Sequence, residues 1–171
     1  MITSQAKERG RKTALFVGEE AINYKTLHQR VDTFAAYLAH QEVRAGDRVA
    51  LLMRNSAEFV YSVLAINKIG AVVVPINTFL TAKEVSYILQ DSGARLLIAS
   101  TVHEAVAKDK AVQQHLRLTI WEGESSDYNT RHVPFDRAMT FPEQVAHHPM
   151  GEEDLAVIIP RERPANPKER C

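Results

Sequence analysis

Apolar residues change their spacing several times along the chain, and each change predicts an element. TALFVG and EEAINY, within residues 13–24, predict two short extended pieces around a turn at Gly18. The interval then lengthens. Leu27, Val31, Phe34, Ala35 and Leu38 fall at i, i+4, i+7, i+8 and i+11, the apolar face of an amphipathic helix. That helix should stop near His40, before the turn residues Ala45-Gly46-Asp47. RVALLMR, residues 48–54, is an apolar run of strand length. Asn55 with Glu58 three residues on predicts a capping box opening a helix, and AEFVYSVLAINKI is apolar around most of its circumference, so it should be well buried. Gly70 is the expected stop.

VVVP, residues 72–75, is continuous and β-branched, as a strand covered on both faces should be. Thr81 with Glu84 is a second capping box, and its helix, with Val85, Ile88 and Leu89 on one side, should close at Ser92-Gly93. RLLIAS (95–100) predicts another buried strand, 101–116 a polar helical stretch, LTIW (118–121) a strand, 123–152 a loop, and DLAVII (154–159) a return to strand. Strands and helices alternating at this spacing make consecutive βαβ units. The fold class is therefore α/β, a parallel sheet with right-handed crossovers, flanked by helices.

Composition narrows the function classes. The 171 residues are 45% hydrophobic and 25% charged, ordinary for a globular chain. Lys plus Arg and Asp plus Glu are 21 each, so 21 − 21 = 0, with no dense basic block to attract nucleic acid or an anionic membrane. A lone cysteine, Cys171, forms no internal disulfide, and no apolar run reaches the roughly 18 residues of a membrane span. The opening MITSQAKERGRK lacks a signal-peptide core, so a cytoplasmic location is expected.

Three stretches together resemble one family. GDRVALLMRNSAEFVYSVLAINKIGAVVVPIN (46–77), LTAKEVSYILQDSGARLLIAS (80–100) and ALFVGEEAINYKTLHQRVDTFAAYL (14–38) are similar to the N-terminal region of adenylate-forming, AMP-binding acyl-CoA synthetases. The resemblance runs from about residue 13 to 159, well under half of a family member, and the wording from Asn77 to Thr81 leans towards fatty-acid or medium-chain enzymes. It implies the first part of the large N-terminal domain of an enzyme that uses ATP, Mg2+ and CoA. A carboxylate becomes an acyl-adenylate, then a thioester. It also implies a phosphate-binding loop directly after a strand like DLAVII, with glycine amides cradling the ATP phosphates.

Here the chain departs from the family: after Ile159 it reads PRERPANPKERC. One legal codon spelling of that tail, shifted by two bases, translates as S-G-T-T-G-K-P-K-G-A-M, the family loop. Residues 1–159 are thus expected to be an incomplete synthetase domain, and 160–171 a disordered tail read out of frame. Without the tail, which carries four basic and two acidic residues, the charge becomes 17 − 19 = −2.

Residues with chemistry read mostly as structure. The basic tail residues Arg161, Arg163, Lys168 and Arg170 interleave with Glu162 and Glu169 and carry no aromatic for base stacking. His147-His148 with Glu143 and Asp154 lacks metal-ligand spacing. Cys171 has no ordered base, and Ser92, Ser125 and Ser126 no nucleophile-elbow pattern. Tyr24, Phe59, Tyr61 and Phe79 are expected to pack. No catalytic, cofactor-binding or metal residue is assigned, and no cofactor is expected for this piece alone. The leading expectation is an inactive synthetase remnant. The alternative is a non-catalytic module pairing with a separately encoded remainder or a full-length paralogue; a free-standing nucleotide-binding domain is disfavoured. Truncation should also leave a strand edge and apolar surface exposed.

Overall fold

The computed structural model describes residues 2–124, 128–142 and 155–160. After a helix α1 (Ile2–Arg9), which the sequence pattern did not announce, β1 (Thr13–Val17) and β2 (Glu20–Asn23) form an antiparallel hairpin turning at Gly18, whose φ is +58°. Asn23 caps α2 (Tyr24–His40), its Oδ1 accepting from the Thr26 amide at 2.8 Å. All five residues of the expected apolar face of α2 are buried.

The main sheet contains β3 (Arg48–Leu52), β4 (Val72–Pro75), β5 (Leu96–Ser100), β6 (Leu118–Glu122) and β7 (His132–Pro134), all parallel in the order β4-β3-β5-β6-β7. Because side chains alternate between faces, each continuous apolar run feeds two cores. Val49, Leu51, Val73, Ile98 and Ile120 meet α2, α3 (Ala57–Lys68) and α7 (Phe135–Met139) on one face. Ala50, Leu52, Val74, Leu97, Ala99 and Trp121 meet α4 (Ala82–Ser92) and the short helices α5 (Glu104–Ala107) and α6 (Lys110–Gln113) on the other. At α4 the capping box is complete, and Gly93 ends the helix in the left-handed region at φ +69°.

Five expectations need correction. The cap of α3 is Ser56, whose Oγ accepts from the Phe59 amide at 3.1 Å, and not Asn55. Starting one residue later aligns Ala57, Tyr61 and Ala65 on the buried side, and leaves Glu58 too early to close a box. The α3 body is also less covered than expected, with Phe59, Val60, Val63 and Leu64 only half-buried. Residues 101–116 form a 3-10 turn (Thr101–His103) and two four-residue helices, and β7 and α7 lie within the stretch expected as loop. DLAVII makes a single parallel bridge, Val157 to Val73, flanked by Val73 N–H to Ala156 O and Ile158 N–H to Val73 O bonds. Residues 143–154 and 161–171, including the paired histidines, the tail and Cys171, lie outside the described residues, as do Ser125 and Ser126.

Candidate functional site

In an open parallel sheet, ligands collect outside the carboxyl ends of the strands, where loops leave the scaffold. Here that edge carries Arg54 and Asn55 after β3, Asn77 after β4, Thr101–His103 after β5 and Glu122 at the end of β6. Val157 runs parallel to β4, so Ile159 and Pro160 emerge at the same edge. The point at which the family resemblance expects a phosphate loop therefore adjoins these residues.

Local packing holds this edge in shape. Gly123 takes φ +93°, and a Cβ there would sit 2.4 Å from Thr101 Oγ1, so the exit of β6 needs glycine to pass the turn after β5. The Asn77 side chain accepts from the Phe79 amide at 3.1 Å, a tight polar turn that leaves the Phe79 ring 93% exposed. Phe79 is therefore not a packing residue. Tyr61 is buried and Phe59 packs partly against the core, as expected.

His103 stands at this edge with its ring partly enclosed. Its Nε2 is buried with no hydrogen-bond partner among the described residues. Burial lowers its pKa from the ordinary 6.5, the neighbouring Arg54 charge lowers it further, and Glu122 opposes both. The shift favours the neutral imidazole, which is set between a cation and an anion that lie 49 positions before it and 19 after it in sequence. No local motif announces such a trio; only the order of the strands brings it together.

The remaining candidates resolve into scaffold. Ser92 Oγ donates to Ile88 O at 2.7 Å and accepts from the Ala94 amide at 3.4 Å, which makes it part of the α4 terminus. Among the described residues there is no group of three His, Cys, Asp or Glu side chains able to hold a metal ion. Their glycines occur singly, at turns and helix ends, and form no successive amide cradle. No helix among the described residues is long and apolar enough to cross a membrane.

A five-stranded parallel sheet with helices on both faces and polar residues gathered at its carboxyl edge defines an open α/β scaffold. The family model of the AMP-binding enzymes matches residues 2–160, and the chain belongs to that family. It is 46% identical over 77 residues to a long-chain-fatty-acid–CoA ligase of Mycobacterium tuberculosis, covering 45% of this chain and 15% of that protein. It is 34% identical over 120 residues to crotonobetaine/carnitine–CoA ligase of Escherichia coli, covering 64% and 23%. Among solved structures, an anthranilate CoA ligase in complex with anthranoyl-AMP superposes with a TM-score of 0.78 at 28% identity, over 91% of this chain and 30% of that one. The chain spans under a quarter of the length of these curated relatives.

Proposed function

We propose that these residues form the leading α/β portion of an adenylate-forming acyl-CoA ligase domain, and that the 171-residue chain does not catalyse the reaction alone. In the complete reaction, carboxylate oxygen attacks the α-phosphorus of ATP and releases pyrophosphate. The thiol of CoA then displaces AMP from the acyl-adenylate. The observation that supports this reading is the Ala156–Ile158 segment beside β4, which points Ile159 and Pro160 to the carboxyl edge of the sheet. Inactivity rests on the lack of a metal-ligand group and a phosphate cradle among the described residues. ATP–pyrophosphate exchange over a panel of fatty and aromatic acids should give no signal above blank with this chain, and robust exchange would overturn the proposal. The division at residues 159 and 160 belongs to the same reading. Sequencing the DNA from codon 155 onward tests it, since a shifted frame should continue as S-G-T-T-G.

A second reading, a non-catalytic module that pairs with the remainder of such a domain, is favoured by one specific feature. Leu155, Val157 and Ile159 are all exposed, and they share the face on which Val73 meets the α2–α3 core. An apolar stripe on a parallel sheet is ordinarily covered by a helix. Co-expression with a segment supplying the rest of a ligase domain should yield a co-purifying pair. A chain that stays alone argues against this second reading.

A further inference from the structure

At the opposite, amino-terminal edge of the sheet lies an open cavity of about 410 Å³ that no part of the proposed reaction uses. Four arginines line it, Arg44 and Arg48 at the entry to β3, Arg95 before β5 and Arg117 before β6, against two carboxylates, Glu42 and Asp47. The formal balance of these six is 4 − 2 = +2. We infer that this cavity is a binding site for a small phosphate polyanion, of diphosphate size, separate from the carboxyl edge where the family chemistry is expected.

Two of the arginines are held in place by the scaffold. Arg48 donates from Nε to Ser92 O at 2.8 Å and from Nη1 to Gly46 O at 2.9 Å, and Arg117 donates from Nη2 to Gln41 O. Those carbonyls lie at the ends of α4 and α2 and in the turn before β3, so each guanidinium is anchored while keeping further N–H groups of its five for a ligand. Gly93 makes this arrangement feasible, because a Cβ there would sit 2.8 Å from Arg48 Nη2. Arg44 and Arg95 differ. Both are exposed, and neither head group has a hydrogen bond or ion pair among the described residues, so they are free to close on an anion. Phosphate suits this set because guanidinium forks bind its oxygens in bidentate pairs. The concave shape and the cavity's size, within the range of small-ligand pockets, favour a compact ion over an extended acidic peptide.

The test is calorimetric titration of the full chain with inorganic pyrophosphate at low ionic strength, repeated with ATP. Arg44→Gln and Arg95→Gln touch no structural hydrogen bond and should each weaken pyrophosphate binding by about tenfold, the loss expected for one charge-assisted contact. Glu42→Gln should tighten it, and added salt should weaken it. Arg30→Gln, on α2 and outside the cavity, should change nothing. ATP that binds with the same arginine dependence, and competes with pyrophosphate, supports recognition through the phosphates alone. The proposal is overturned if pyrophosphate gives no saturable binding, or if Arg30→Gln weakens it as much as Arg95→Gln. These outcomes are independent of whether the chain supports exchange chemistry.

Discussion

Leu96–Ser100 and residues 155–159 are alike as sequence: LLIAS carries four apolar residues before its terminal serine, and LAVII is apolar throughout. In the structure they diverge. Every residue of β5 is buried, because β3 and β6 flank it and a helix layer covers each face. In the second run Leu155 is 56%, Val157 40% and Ile159 81% exposed, while Ile158 packs partly buried against the second core. Such a run is written for burial on both faces and both edges. For β5 the described residues supply that environment; for 155–159 they supply one neighbouring strand and one face. Half-burial of Phe59, Val60, Val63 and Leu64 on α3 points the same way. The contrast thus marks 155–159 as the apolar run whose surroundings, among the described residues, are incomplete.

Truncation should expose the contrast most strongly. Ile98→Ala removes a fully buried side chain from the centre of β5 and should cost about 2–5 kcal/mol. Val157→Ala should stay within about 0.5 kcal/mol, as for an exposed position. Urea unfolding curves with a common slope measure both. Equal losses would break the comparison, because they would mean that the 155–159 stripe is already covered in the isolated chain.

Helix ends give the next largest effects, and they differ between the two faces. On the α4 face, Thr81→Ala removes a complete capping box and should cost about 1 kcal/mol. Facing the other core, α2 ends with Glu42 in the left-handed region at φ 59°, its amide donating to Ala39 O and that of Val43 to Leu38 O. This is the position at which glycine is normally favoured. Glu42→Gly should therefore stabilise the chain by about 0.5–1 kcal/mol, read as a higher urea midpoint. A destabilised variant would mean that the carboxylate is held by the arginines around it strongly enough to outweigh the backbone strain.

Much of this architecture is legible from residue spacing. The 3.6-residue interval from Leu27 to Leu38, the β-branched run at 72–75 and the Thr81–Glu84 pair each specify one local structure. Where two local solutions compete, spacing fails. Asn55 and Ser56 are both good caps, and the choice is made by which start buries Ala57, Tyr61 and Ala65 together. His132–Pro134 is too short and too polar to announce itself, and a proline is tolerated there because β7 borders the sheet. Neither candidate site could be read locally. Arg54, His103 and Glu122, like the four arginines at the other edge, are assembled by strand order from distant positions.

Lysine substitution tests the exposed stripe itself. Val157→Lys and Ile159→Lys should leave the unfolding free energy in urea within about 0.5 kcal/mol of the parent. They should also lower self-association at high concentration in sedimentation experiments, because a charge on an open apolar edge opposes edge-to-edge pairing. If association is unchanged, the stripe is not the adhesive surface, and the difference between β5 and 155–159 has no consequence in solution.

The smallest effect should come at the exit of β5, where the packed surroundings of that strand bury the His103 Nε2. Burial first, then Arg54, lower the pKa of the folded state below the ordinary 6.5, so the unfolded chain binds the proton more readily. Stability from this group is therefore fully present above about pH 6.5 and declines as the pH falls through the lowered folded-state value. His103→Gln should flatten the loss of stability between neutral and mildly acidic pH. Arg54→Gln should lessen that loss by removing a repelling charge, and Glu122→Gln should deepen it by removing an attracting one. Because the imidazole is only partly enclosed, all three changes should be modest. Thermal unfolding midpoints followed across that pH range decide the matter: parallel profiles for the parent and His103→Gln would show that the ring is solvated in both states and that the end of β5 is no more enclosed than Ile159.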